Sequence, residues 1–156
     1  MNQVIWMMIL TILPISELRG GIPYGILAGG MHWLPVFVIC VLANIAIGVV
    51  LYFALGFITI IATRISFINR FYQRYVTKSQ NKIHKAVEKW GVLGLAIFIG
   101  IPLPMTGVYT GTIGAKLINM SFKRYLIAMT LGVLIAGIIV TIVVLTGAEA
   151  FRIFVK

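Results

Sequence analysis

Acidic residues are almost missing from these 156 residues: Glu17, Glu88 and Glu149 are the only three, and aspartate is absent. An intramembrane hydrolase has almost nothing to work with in so few acids. Histidine is nearly as scarce, with only His32 and His84, and Cys40 is the single cysteine. No internal disulfide can form and no thiolate cluster can hold a metal. There is also no Ser-His-acid set and no phosphate-binding glycine loop. The expectation is a chain without cofactor or metal that is not an enzyme. Charge of any sign is thin: 10% of residues are charged and 61% are apolar, against about 25% and about 45–50% in a soluble domain. A soluble fold of this length cannot bury so much apolar surface. The chain belongs in a bilayer, as an all-α integral membrane protein.

The charge that is present is basic, with 13 Lys and Arg and a net charge of +10. No folded domain surrounds it, so lipid surfaces and positive-inside topology account for it better than nucleic acid does. A spanning helix takes roughly 20 apolar residues. Residues 35–63, apolar except for Asn44, and residues 125–148, interrupted only by Thr and Gly, both qualify. Pro35 suits the first turn of the earlier helix. Asn44 reads more readily as interhelical glue than as a ligand. His32 beside Trp33 reads as an interfacial anchor and His84 as a solvated side chain. Met1-Asn2-Gln3 has no basic n-region and no A-x-A-like site follows, so the first apolar run is expected to be retained.

Two other apolar regions are interrupted. Residues 4–15 break at Ser16-Glu17-Leu18-Arg19-Gly20-Gly21 and resume over 22–31. Residues 91–101 break at Pro102-Leu103-Pro104-Met105-Thr106-Gly107 and resume over 108–118. Arms of about 10–12 residues have the length of re-entrant segments. Proline and paired glycines interrupt helices, and broken backbone survives at membrane depth only where protein or a water-filled cavity covers it. Each region therefore predicts a re-entrant helical hairpin. Between them, Arg70, Arg74, Lys78, Lys82, Lys85 and Lys89 recur every three or four residues. With Phe67, Phe71, Tyr75, Ile83 and Val87 opposite, they predict an interfacial amphipathic helix able to lie on anionic lipid. A solvated connecting helix is the plainer reading.

The result is one membrane domain: repeat 1 over 1–63, a basic linker helix over 64–90 and repeat 2 over 91–156. Sliding the chain by 86 residues lays Gly21-Ile-Pro-Tyr-Gly25 on Gly107-Val-Tyr-Thr-Gly111. One span per half makes the hairpins enter from opposite faces, an inverted repeat of the kind found in secondary transporters, with binding near the midplane. If both breaks are re-entrant, seven basic residues from Arg64 to Lys89, with Lys116, Lys123 and Arg124, fall on the cytoplasmic side; if they span fully, the 116–124 loop moves outside and the charge split is less one-sided. Arg152 and Lys156 stay outside, as do both termini. Two spans are too few to enclose a pathway, so a homodimer is expected.

Glu17 and Arg19 are the only charges in the first 63 residues. An intramembrane ionisable residue is a functional-site candidate by default. Glu17 could carry a proton, and the planar fork of Arg19 suits phosphate or carboxylate. Alternatively, the two simply satisfy each other and hold the hairpin. Gly21 and Pro23 complete the first site. At the second break, Pro102 and Pro104 lack N–H donors, Gly107 permits unusual dihedrals, and Thr106, Tyr109 and Thr110 supply hydroxyls. A half-helix starting near Gly107 would aim its positive end at the centre, a place for an anion. The plainer reading is a bend whose hydroxyls bond their own backbone.

The residues Glu17-Leu-Arg-Gly-Gly-Ile-Pro23 and, about 80 residues on, Ile101-Pro-Leu-Pro-Met-Thr-Gly107 continuing as Val108-Tyr109-Thr110-Gly111 carry a family resemblance. They resemble the patterns E-L-R-G-x-I-P and P-L-P-G-T-G-x-W/Y-T-G of the small multidrug export proteins, short bacterial and archaeal membrane proteins. Met105 departs from the usual glycine. That family is similar to the DedA superfamily, which implies two opposed re-entrant hairpins, a prokaryotic plasma-membrane location, and transport or scrambling of lipids such as polyprenyl phosphates. It also implies that membrane-embedded acidic and basic residues matter, here Glu17 and Arg19. The leading expectation is a translocase of an anionic amphiphile, a lipid phosphate, coupled to protons through Glu17. The alternatives are a proton-coupled drug or ion exporter with Glu17 as cation site, and a membrane-bound interaction protein acting through the basic helix.

Overall fold

Backbone placed in hydrocarbon must satisfy its own hydrogen bonds, which for a segment of this kind means helix. A computed structural model describes residues 2–63, 91–102 and 106–154, with side chains for 2–57, 91–102 and 106–147. Among these residues there are helices and turns and no strand. In chain order they are α1 (Gln3–Ile12), α2 (Glu17–Pro23), a π-helical turn (Tyr24–Ala28) and α3 (Trp33–Thr63). Then follow α4 (Gly91–Gly100), α5 (Val108–Leu117) and α6 (Phe122–Phe154).

Within α3 and α6, the stretches Trp33–Phe57 and Phe122–Gly147 are long and apolar enough to cross a membrane. At ~1.5 Å per residue each is roughly 38 Å long, more than the ~30 Å of hydrocarbon. Pro35 lies in the first turn of α3, where its missing N–H leaves nothing unpaired. Both helices are apolar on both sides. Leu42, Phe53, Phe57, Ile142 and Val143 point outward, while Cys40, Asn44, Tyr125, Met129 and Val133 are fully buried or nearly so. In water such an outer face would drive aggregation; in lipid it is the ordinary contact surface.

The first interruption lies earlier than the residue pattern predicts. Helix α1 ends at Ile12, and the Leu13 carbonyl accepts the N–H groups of both Ser16, at 3.2 Å, and Glu17, at 3.0 Å. The turn occupies 13–16, where Pro14 has no N–H to lose, and the chain is helical again from Glu17. The expected break residues Glu17 to Gly21 are therefore helical. The paired glycines do not unwind α2, because packing uses them: Gly21 is pressed against Thr11 and Cys40, leaving no space for a side chain. Nor does Pro23 end the helical path. Its ring and missing N–H loosen the winding instead, and residues 24–28 continue as a π turn, with the Gly29 N–H reaching the Tyr24 carbonyl at 2.8 Å. The second pair of arms, α4 and α5, falls where the pattern places it. Residues 64–90, carrying the basic stripe Arg70 to Lys89, lie outside the described residues, and so does Pro104.

Each pair of short helices folds back on itself, α1 against α2 and α5 against α4, where Gly111 meets Ile99 and Leu95. The two pairs lodge against α3 and α6. A polar clamp holds the assembly: the buried Tyr125 hydroxyl lies 2.6 Å from the Thr112 hydroxyl and 3.1 Å from the Gly48 carbonyl. The Tyr125 ring stacks on Tyr52, whose own hydroxyl donates to the Met120 carbonyl at 2.8 Å. Lys116 sits over the other edge of this cluster, its ammonium 3.5 Å from the Tyr52 ring centroid.

Contact between α4 and α6 depends on Gly132. A methyl there would fall 2.8 Å from the Ala96 carbonyl and 2.6 Å from Ile99 Cβ, and neither atom can swing away. Gly132→Ala should cost about 1–3 kcal/mol, the usual scale of overpacking, read as a lower melting temperature in detergent micelles.

Candidate functional site

The site forms where the first residue of α2 meets the N-terminus of α5. The first backbone N–H groups of a helix have no partner within it and carry partial positive charge. Those of α5 find one in Glu17: the Val108 N–H donates to Oε2 and the Tyr109 N–H to Oε1, both at 3.4 Å. The anion expected at this helix end is therefore the chain's own carboxylate, from a residue 91 positions away in the case of Val108. Glu17 is 6% exposed, so this partner is what makes its burial tolerable.

Arg19, half-buried, completes a triangle. Its Nη2 lies 3.9 Å from Glu17 Oε2 and donates to the Thr106 carbonyl, freed by the break that precedes α5. The Tyr109 hydroxyl crosses the other way and donates to the Ile12 carbonyl at the end of α1. Three side chains thus lace the first interruption to the second. Thr106 and Thr110 behave differently: their hydroxyls donate to the nearby Ile101 carbonyl, at 2.7 Å, and Gly107 carbonyl, at 3.4 Å.

Two backbone features make the approach possible. Gly107, with φ 134° and ψ −163°, occupies a region essentially closed to other residues, and a side chain there would collide with the Glu17 carboxylate. Glu17 itself has φ 47°, the left-handed region, a cost of order 1 kcal/mol that surrounding contacts must hold in place. The Glu17 carboxylate, tied to α5, supplies that hold.

The candidate residues sort accordingly. Glu17, Arg19, Thr106, Gly107 and Tyr109 converge, and Pro102 lines a small cavity beside them. Gly21 and Pro23 lie further along α2, where Gly21 serves packing against α1 and α3. Thr110 bonds its own turn. The candidate lipid-surface residues Arg70, Arg74, Lys78, Lys82, Lys85 and Lys89 lie outside the described residues. Asn44, read from the sequence as interhelical glue rather than a ligand, is fully buried and faces the same cavity as Glu17 and Arg19. Its signal was its isolation, as the one strongly polar side chain in 29 residues of apolar helix. Among the described residues, no group of three or more His, Cys, Asp or Glu side chains could hold a metal ion.

Two long apolar helices with broken helix pairs packed against them, and a charged pair at the breaks, define a helical membrane protein. The family described as "Putative small multi-drug export protein" matches residues 17–139, a span that begins on Glu17, just after the first break, and takes in the second, and the chain belongs to that family. Its name describes export, so transport is the class of function in which the chain falls. No curated protein and no solved structure matches the chain.

Gly107→Ala tests the junction. The left-handed φ and the collision with Glu17 both oppose the methyl, so a loss of at least about 1–3 kcal/mol is expected. The loss should be smaller in a Glu17→Ala background, where the collision is removed; double-mutant unfolding measurements would show it.

Proposed function

We propose that this protein translocates an anionic amphiphile, a lipid phosphate such as a polyprenyl phosphate, with Glu17 coupling the movement to protons. The observation that carries this reading is the pairing of the Glu17 carboxylate with the α5 N-terminus beside Arg19. A helix N-terminus supplies roughly +0.5 charge, and Arg19 a full positive charge. The Glu17 carboxylate offsets part of this positive charge. When Glu17 takes up a proton, its claim on the two amides and the guanidinium weakens, and an incoming phosphate can compete for the same donors. When the proton leaves, the carboxylate displaces the phosphate. Binding and release are thereby tied to one internal competitor.

The surrounding architecture is read in the same terms. The two broken pairs, α1–α2 and α4–α5, are re-entrant hairpins related as an inverted repeat, with the junction near the midplane. The basic charge of the sequence over 64–90 favours the cytoplasmic side, where anionic lipids lie, which leaves both termini outside. Two spans per chain call for a homodimer in a prokaryotic plasma membrane, and cross-linking in native membranes should capture a pair of chains. The resemblance to the DedA superfamily supports the choice of lipid phosphate.

The family's name favours a second reading, proton-coupled export of small cationic compounds with Glu17 as the cation site. The local field weighs against it, because Glu17 already faces two positive partners.

Purified protein in liposomes, assayed for flipping of a fluorescent short-chain polyprenyl phosphate, separates the two. Wild type should accelerate flipping, and Glu17→Gln and Arg19→Gln should each slow it by roughly tenfold or more, the scale of losing one charged hydrogen bond. If cationic drug resistance is instead lost with Glu17→Gln and kept with Arg19→Gln, the second reading stands.

A further inference from the structure

A buried polar side chain normally has its hydrogen bonds satisfied. Asn44, in the middle of α3, does not: it is fully buried, and among the described residues neither its amide nitrogen nor its carbonyl oxygen has a partner. Interhelical glue would be bonded to a neighbouring helix, so glue does not explain it. Asn44 instead lines a cavity together with Glu17, Arg19, Pro102, Val108 and Val133. The cavity is small, about 10 Å³ open to the centre of a water molecule, room for one water-sized group, so a phosphate seats fully only as the surrounding side chains move apart.

Both halves of the amide are orphaned, and that narrows the chemistry. A bare cation would satisfy only the carbonyl oxygen, and it would face the positive end of α5 and Arg19 as well. A fully ionised oxyanion would satisfy only the NH2 group. A group carrying both an O–H and an O⁻ satisfies both, and a phosphate monoester bearing one proton is such a group, its second ionisation lying near pH 6.

We propose that Asn44 is a third ligand-binding side chain of the central site, its amide donating to one oxygen and accepting from the P–OH of a singly protonated phosphate monoester held beside Arg19 and the α5 N-terminus. This inference rests on the reading of the site as one for a lipid phosphate. The ligand approaches between the two interruptions, and α3 is the wall against which its headgroup seats. Specificity follows, because a carboxylate or sulfate has no O–H near neutral pH and leaves the Asn44 carbonyl orphaned, whereas a phosphate monoester keeps a minor singly protonated form that the site selects.

The test is calorimetric titration of purified protein in nanodiscs with farnesyl phosphate, inorganic phosphate and uncharged farnesol, for wild type, Asn44→Leu and Asn44→Ala. Farnesyl phosphate should bind wild type and lose about tenfold or more in affinity in both variants, while their melting temperatures without ligand stay level or, for Asn44→Leu, rise. That combination is opposite to what interhelical glue gives. Comparable affinity for inorganic phosphate would assign the site to the free ion, and tighter binding of farnesyl phosphate to the lipid; loss on substitution supports the role of Asn44 in either case. Unchanged phosphate affinity in both variants, or lower melting temperatures in both, overturns that role and leaves the lipid-phosphate reading standing. Wild type that binds neither phosphate, or binds farnesol as tightly as farnesyl phosphate, overturns both.

Discussion

One carboxylate holds the two halves of this protein together. Glu17 opens α2 and caps α5, so a residue of the first broken helix pair supplies the negative charge that the second requires. Few other pairings would serve in a chain with three acids and no aspartate. A buried helix end without partners would cost several unsatisfied amides, and a buried carboxylate without partners would cost more. Each resolves the other, and the neighbouring Arg19 and Tyr109 bonds follow because the two breaks are already in register.

The same economy governs the close contacts. The apolar residues do not by themselves drive helices together in lipid, since hydrocarbon solvates them as well as a neighbouring helix does. Shape and small residues decide instead. Gly21 against Thr11 and Cys40, Gly111 against Ile99, and Gly132 against Ala96 let the short helices approach their supports at backbone distance. Polar bonds then fix the register, above all at Tyr125, Thr112 and Gly48.

Much of this was legible in the residues. Long uninterrupted apolar runs mark α3 and α6, because length and hydropathy are what a membrane-crossing helix requires, and the prolines after Ile101 mark the gap before α5. The isolated charges at Glu17 and Arg19 mark the site. The position of the first break was not legible: paired glycines look like interruption, yet here they are packing residues inside α2, and the turn falls at Pro14. Nor could the pattern reveal that the anion for α5 comes from within the chain, because that pairing joins positions 91 apart and depends on how two helix pairs dock. Asn44 was misjudged for a related reason. A lone amide in an apolar helix looks like glue until its neighbours are known, and only the packing shows that it has none to bond among the described residues.

The Tyr125 clamp has a mechanical meaning as well. It grips α5 at Thr112, with Val108 one turn to one side and Lys116 one turn to the other. Helix α5 is a short rigid rod pinned near its middle. Any tilt that draws its Glu17-bound end toward or away from α2 must swing the Lys116 end the opposite way by a similar amount, lifting or pressing that ammonium on the Tyr52 ring. The two ends of the rod act as the arms of a balance, and the stacked tyrosines are its fulcrum.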